Sequence, residues 1–378
     1  MFAMDKRQFL VAFNIIPHIQ SKAIFALMDS LSDFRDILRL KKADLTAVPG
    51  VGEKTAEKIL SFPFEERLEK ELSLAEKRNV KILTRLDEDY PKQLKNIYSP
   101  PLVLYVQGIL PAEDEPAIAV VGTRRATEYG RVAAARISGE LAHRGVVIVS
   151  SMARGIDAIA HMAAIRSKGK TVGVMGSGLD VIYPSEHRKL YGQIAESGAV
   201  ITEFAFGTKP DKSNFPIRNR IISGLSYGTL IIEASEKSGT LITGKYALEQ
   251  GRELFAVPGN ITSKQSIGTN YLIKTGAKLI QRADDIMNEF PDYLLKKLKN
   301  LIPAENAEKY PVHEMTELDD NEKRVLSVLE FDKPKHIDIV CSLLNEEPGK
   351  VWQHLLSLEI KNAVVQLEGK LFIKRFKG

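Results

Sequence analysis

AIAVVGTRRATEYGRVAAARISGELAHRGVVIVSS, residues 117–151, decides the architecture. Ala117–Val121 is a run of apolar residues without polar alternation, and Gly122-Thr123-Arg124 turns the chain after it. Tyr129–Arg144 carries apolar residues at helical spacing, and Val146–Val149 is a second β-rich run. A strand, a helix and a strand of this kind predict a parallel sheet covered on both faces. The pattern continues outward. Thr171–Met175, Ala199–Thr202, Thr229–Ile232 and Leu254–Val257 read as strands, with helical stretches at Ile156–Lys168 and Leu241–Gln250. The fold class is therefore α/β. Ligands of such sheets bind outside the carboxyl ends of the strands. Gly122, Gly176-Ser177-Gly178 and Pro258-Gly259 each follow a strand and are expected to line one rim.

At 378 residues the chain holds two or three domains. A hydrophobic share of 44% supports real cores and excludes global disorder. The single cysteine, Cys341, excludes an intrachain disulfide and a multi-cysteine zinc site, which fits a reducing cytoplasm. No apolar run reaches the roughly 20 residues a membrane span needs. The N-terminus lacks a signal-peptide cleavage pattern, so a cytoplasmic location is expected. The net charge of +5 favours acidic partners only mildly.

Residues 1–78 read as short helices. Within them LTAVPGVGEKTAEKIL, Leu45–Leu60, predicts a helix, a glycine turn and a second helix from about Glu53. This resembles the helix-hairpin-helix (SAM-like) motif, in which N–H groups at a helix start hold a phosphate. Gly50, Gly52, Lys54 and Thr55 are its candidates for a secondary DNA contact; a turn that only packs is the competing reading. The core spans 79–290, with an N-terminal extension over 79–115 whose apolar runs, Val80–Leu83 and Leu102–Val106, suit strands. Residues 291–317 read as a linker. Residues 318–378 show three helical stretches and a hairpin at Glu368-Gly369, the signature of a winged helix. Its predicted recognition stretch carries Glu346, Glu347 and Glu359, which points to protein contact or weak DNA contact. Trp352, between Val351 and Leu355, is expected in that domain's core.

The chemistry concentrates at the rim. KSNFPIRNR, Lys212–Arg220, sets Phe215 among Lys212, Arg218, Asn219 and Arg220. An aromatic face stacks on a nucleobase and guanidinium groups hold phosphates. Pro216 is expected to hold Phe215 extended. Gly122, Thr123, Arg124 and Arg125 predict a phosphate site of backbone donors and cations; a tight turn with both arginines in solvent is the competing reading. VVGTRR lacks the dinucleotide fingerprint. Lys237, Ser238, Gly239 and Thr240 form a second anion site at a helix start. Asp157 and His161 stand one helical turn apart, but without a second ligand pair they are read as structural, and no metal is expected. Gly176–Pro184 is a glycine-rich rim loop containing Asp180, and Glu203 is expected to tether a loop by accepting backbone N–H bonds.

At these residues the chain resembles the DprA (Smf) family of bacterial DNA-processing proteins. The motifs are Tyr90-Pro91, Gly122-Thr123-Arg124, Ala153–His161, Gly176–Pro184, Phe215–Ile222, Ser238–Thr243 and Phe255–Ile273, in the family's order. Ser151 departs from the family's glycine. The resemblance implies a Rossmann-like core that binds and protects single-stranded DNA, dimerises and loads RecA recombinase during natural transformation or recombination. It implies no catalysis and no cofactor. By motif, Arg124, Lys212 and Phe215 match family positions that contact DNA; Arg218, Asn219, Arg220 and the Lys237–Thr240 turn are added on chemical grounds. An alternative is a nucleotide hydrolase similar to the phosphoribohydrolases, built on Asp157, Asp180 and Glu203. A third reading makes the terminal domains an adaptor around a core that only dimerises.

Overall fold

The computed structural model describes residues 4–16, 19, 21–30, 39–112, 115–301, 318–331, 333–361 and 363–375. The N-terminal unit consists of α1 (Lys6–Ile15), α2 (Ser21–Ser30), α3 (Lys42–Thr46), α4 (Glu53–Ser61) and α5 (Phe64–Lys77). Asp5 caps α1 in a capping box with Gln8. Leu45, Val48, Val51, Ala56 and Ile59 close the α3–α4 hairpin onto the unit's core. That core runs on without a break into Tyr105, Met152, Met175 and Val200, so the unit sits directly on the sheet. Arg7 bonds Asp87 at 3.1 Å, Asn14 Nδ2 donates to the Glu203 carbonyl at 2.8 Å, and the buried Glu71 accepts from the Phe206 N–H at 2.9 Å.

The central layer begins with β1 (Lys81–Thr84), α6 (Lys92–Lys95), β2 (Val103–Gly108), β3 (Ala117–Val121), α7 (Glu128–His143), β4 (Val147–Ser151), α8 (Ile156–Arg166) and β5 (Thr171–Val174). It continues with α9 (Arg188–Ser197), β6 (Gly198–Thr202), α10 (Asn214–Gly224), β7 (Gly228–Ile231), α11 (Thr240–Glu249), β8 (Glu253–Ala256), α12 (Ile267–Lys274) and β9 (Lys278–Leu279). α13 (Ala283–Met287) and α14 (Asp292–Leu301) close it. The described residues form a nine-stranded sheet in the order β1-β2-β6-β5-β4-β3-β7-β8-β9. β3 through β9 pair in parallel, and the extension adds β1 and β2 antiparallel against β6. The strand order reverses between β3 and β7. Chains leaving those two strands diverge and open a crevice at their carboxyl ends, where α/β sheets bind ligands.

Two expectations change. α14 occupies the start of the predicted 291–317 linker, because Leu294 and Leu298 bury against the core beside Phe290; residues 302–317 lie outside the described residues. The C-terminal unit has α15 (Asp320–Ser327), β10 (Lys335–His336), α16 (Ile337–Leu344), α17 (Pro348–Ile360), β11 (Val364–Leu367) and β12 (Leu371–Lys374), around a separate core. Its hairpin turns at Gly369, whose φ of +80° favours glycine. Trp352 is not in this core. α17 buries Val351, Leu355 and Leu358, while the neighbouring position turns away by about 100°. Trp352 is 38% exposed and meets Phe372 edge-on at 5.8 Å.

Candidate nucleic-acid interface

α10 carries FPIRNR, and it corrects the expectation of an extended Phe215. The helix starts at Asn214, so Pro216 is its third residue. First-turn N–H groups have no helical partner, and the missing donor of Pro216 costs nothing there. The helix then divides its polar residues by direction. Positions two apart differ by about 200° around the axis, so Arg218 and Arg220 leave on different sides.

Arg220 is buried and paired. Its Nη1 and Nη2 each reach a Glu203 carboxylate oxygen at 2.6 Å, and its Nε donates to the Ser99 carbonyl at 2.8 Å. Burial pulls the Arg220 pKa down, but Glu203 outweighs it and holds it above the ordinary value. Arg220 is therefore removed from the predicted DNA contacts: its donors are spent inside the protein. Glu203 is a tether as expected, yet its partner is this guanidinium and not backbone N–H. The carboxylates that do hold the backbone loop after Glu203 are Glu71, at Phe206, and Asp180, which accepts from the Gly207 N–H at 2.9 and 3.1 Å.

Arg218 is also buried, but it lines the crevice. Its Nη1 donates to the Val174 carbonyl and its Nε to Asn219 Oδ1 at 3.1 Å. Burial draws its pKa down to about 10, with the Asp157 carboxylate opposing. The crevice is a cleft of about 490 Å3. Its walls include Arg124, Arg125, Phe215, Arg218, Asn219, Ser238, Gly239 and Thr240. The structure thus brings together three separate stretches of the sequence, 124–125, 215–219 and 238–240. Arg124 and Arg125 are exposed at the mouth, and the Arg124 and Arg218 guanidinium carbons lie 5.4 and 5.9 Å from the Phe215 ring centre. Gly176 makes room for that ring: a Cβ there would sit 2.8 Å from Phe215 Cδ1. Lys212 and Lys237 are exposed outside the cleft's lining.

The backbone donors predicted at Gly122 and Thr123 are already engaged. The Gly122 N–H donates to Asp157 Oδ1 at 3.2 Å, and the Thr123 N–H to the Glu233 carbonyl at 2.9 Å. The start of α7 is closed as well: Glu233 accepts from the Thr127 N–H at 3.0 Å and from its hydroxyl at 2.5 Å. A buried carboxylate occupies the place a phosphate would take, and burial raises its pKa. Gly122 is needed for packing, since a Cβ would meet Ile156 at 2.5 Å. What this turn offers a ligand is the two arginine side chains. At the other turn, Thr240 Oγ1 donates to the Gly122 carbonyl at 3.1 Å, and the Gly239 N–H has no hydrogen bond among the described residues.

Asp157 and His161 are buried and hydrogen-bonded within the core. Asp157 accepts from the Ser151 hydroxyl, and burial raises its pKa to about 6. His161 Nδ1 meets Thr171 Oγ1 at 2.6 Å and Nε2 meets the Ser151 carbonyl at 3.2 Å; burial lowers its pKa to about 4. Ser151 thus bonds both residues, His161 through its backbone carbonyl and Asp157 through a hydroxyl that glycine lacks. At the hairpin, Gly50 has φ +87°, Gly52 is the N-cap of α4, and Lys54 is exposed beside the half-buried Thr55. The sequence reading singles out neither Glu233 nor Tyr183, whose ring stands near Phe215; both owe their importance to partners distant in the chain.

The family model for DNA recombination-mediator protein A matches residues 81–291, which is more than half of the chain. The chain belongs to this family. The DprA winged helix domain matches 311–370, and a helix-hairpin-helix motif matches 34–62. Protein Smf of Synechocystis sp. is 35% identical over 356 residues, covering 88% of this chain and 89% of the relative. DNA processing protein DprA of Bacillus subtilis is 41% identical over 230 residues, covering 61% and 77%. The DprA structure from Streptococcus pneumoniae superposes with a TM-score of 0.65 at 32% identity, covering 76% of this chain and 99% of that one. DprA from Helicobacter pylori, described for its single-stranded DNA binding mode, gives 0.51 at 32% identity, covering 58% and 96%. No helix among the described residues is long and apolar enough to cross a membrane.

Proposed function

We propose that this DprA-family chain binds single-stranded DNA across the carboxyl end of its sheet, protects it and delivers it to RecA recombinase. One observation carries the reading: Phe215 stands with Arg124 and Arg218 at a 490 Å3 cleft at the switch point of the sheet. A ring supplies sequence-tolerant stacking, and exposed cations follow a phosphate backbone. Lys212 and Lys237 extend the charge beyond the cleft. The relative from Helicobacter pylori supports the ligand class. The protein acts in the cytoplasm as a homodimer. In support, Ile267 and Tyr271, one turn apart on α12, expose large apolar surfaces suited to a second copy.

The hydrolase reading needs a carboxylate poised for acid-base work. Glu203 is locked to Arg220, Asp180 holds Gly207, and Asp157 is buried under Ser151 and Gly122. We assign no catalytic step and no cofactor. The test is a fluorescence titration of oligo-dT against duplex of equal length across salt concentrations, followed by RecA filament formation on the bound strand. Equal affinity for strand and duplex overturns the ligand, and release of base from nucleoside monophosphates, lost on Glu203→Gln, restores the enzyme. Deletion of 318–378, which has its own core, should leave strand binding in place; loss on that deletion, with Phe215→Ala silent, moves the site to the terminal domain.

A further inference from the structure

The rim holds a second ring that this reading does not use. Tyr183 stands with its ring centre 6.0 Å from that of Phe215, the planes 24° apart. Both rings border a small recess that shares Arg124 and Arg218 with the large cleft. Packing does not explain Tyr183. It is 43% exposed, and its hydroxyl makes no hydrogen bond among the described residues. Phe215 is the more covered ring, crowded by both guanidinium groups and by Gly176. The freer aromatic face at this rim is therefore that of Tyr183.

The loop that carries Tyr183 is tied down. Ser177 Oγ donates to the Val181 carbonyl at 2.8 Å, the Gly178 N–H to the Thr208 carbonyl at 3.0 Å, and Asp180 accepts from Gly207. The backbone that carries the ring is thus held in place before any ligand arrives, which spares loop-ordering entropy on binding. Admitting a base between the two rings would take about twice the stacking rise of roughly 3.4 Å. At 6.0 Å the rings make two platforms and not a sandwich. Cations continue past Tyr183: Arg154 lies beside the recess, bridged to Glu186, and Arg188 and Lys189 are exposed at the start of α9.

We propose that Tyr183 is a second stacking platform, taking the base adjacent to the one at Phe215, with the phosphates running on toward Arg188 and Lys189. The proposal rests on the single-strand reading of the rim, and its ligand is an unpaired nucleobase of any identity. The test is fluorescence anisotropy with oligo-dT and with an abasic oligonucleotide of equal length, on wild type, Tyr183→Ala, Tyr183→Phe, Phe215→Ala and the Tyr183/Phe215 double alanine variant. Tyr183→Ala should weaken oligo-dT binding roughly 5- to 100-fold. Tyr183→Phe should retain it. The abasic strand should bind wild type and Tyr183→Ala alike, and the loss should persist in the Phe215→Ala background, as independent platforms require. Undiminished oligo-dT binding by Tyr183→Ala overturns the proposal. So does an equal loss on the abasic strand, or a loss that vanishes without Phe215, which would make Tyr183 a mere buttress. Wild type that ignores oligo-dT overturns the rim reading itself; a Phe215→Ala loss with Tyr183→Ala silent overturns only the second platform.

Discussion

The helix-hairpin-helix turn and the rim of the central sheet offer a ligand similar groups by opposite routes. At the hairpin, Gly50, Gly52, Lys54 and Thr55 lie within six residues, and local geometry alone presents them. At the rim, Arg124, Phe215 and Gly239 come from three strand ends brought together by the crossing order of the sheet. The hairpin also carries acids: Lys42 on α3 pairs with Glu53 and Glu57 on α4. A local motif sets a phosphate next to whatever charges its own helix bears. A rim assembled from distant segments places acids and cations independently, and here it buries Glu233 and Asp157 and locks Glu203 to Arg220 while leaving Arg124 and Arg125 at the mouth.

This contrast is open to measurement. The largest effect should come from the frame that holds the rim. Glu203→Ala leaves Arg220 buried without its partner and should cost about 3–5 kcal/mol of stability, read from urea midpoints; a change within experimental error would show the pair to be dispensable. Next, Phe215→Ala should cost about 1–3 kcal/mol in oligo-dT affinity with its melting temperature unchanged. Arg124→Ala should weaken binding to all sequences alike and flatten the salt slope by roughly 0.7 for each phosphate left without its cation. Lys54→Ala should do less than either, because it sits on an acid-bearing hairpin; a loss larger than that of Phe215→Ala would invert the comparison and make the local motif the main site.

The smallest effect concerns pH. Asp157 titrates near 6 in the fold, against an ordinary 3.8, because burial disfavours its charge. The native state takes up its proton first, so this group's contribution to stability grows as pH falls through 6 toward 4. His161, held by burial near 4 against 6.5, acts in the opposite sense: the unfolded chain is protonated first, and stability is lost as pH falls from 6.5 to 4. The two slopes largely offset. Asp157→Asn leaves the histidine alone, and thermal unfolding midpoints should then drop more steeply between pH 6.5 and 4 than in wild type. An unchanged slope would mean that Asp157 does not titrate there.

Much of the fold is legible in the sequence because most of the parallel strands are short apolar runs and several are closed by a glycine turn, a signal contained in a few consecutive residues. The hairpin turn at Gly369 and the α3–α4 turn are legible for the same reason. Three things are not. Pro216 restrains its predecessor and so points to an extended Phe215, yet the first turn of a helix tolerates both. Hydrophobicity points Trp352 into the core because it marks the stripe without saying on which side of Val351 the stripe falls. β9, only Lys278–Leu279, is too short for periodicity to mark.

By itself, the order of residues determined the α/β class, the positions of the turns and the stock of rings, cations and acids near the rim. These follow from local sterics and from periodicity, which act over a few residues. Only tertiary structure decided which charges face a ligand. Arg218 and Arg220 look alike in FPIRNR, but a helix rotation of about 200° gives one a place in the cleft and the other a buried carboxylate. Likewise the N–H groups of Thr123 and Thr127 after β3 look open to a phosphate until Glu233, over a hundred residues later in the chain, folds back to take them. A charge's availability depends on what already pairs with it, and that pairing is a property of the packed molecule.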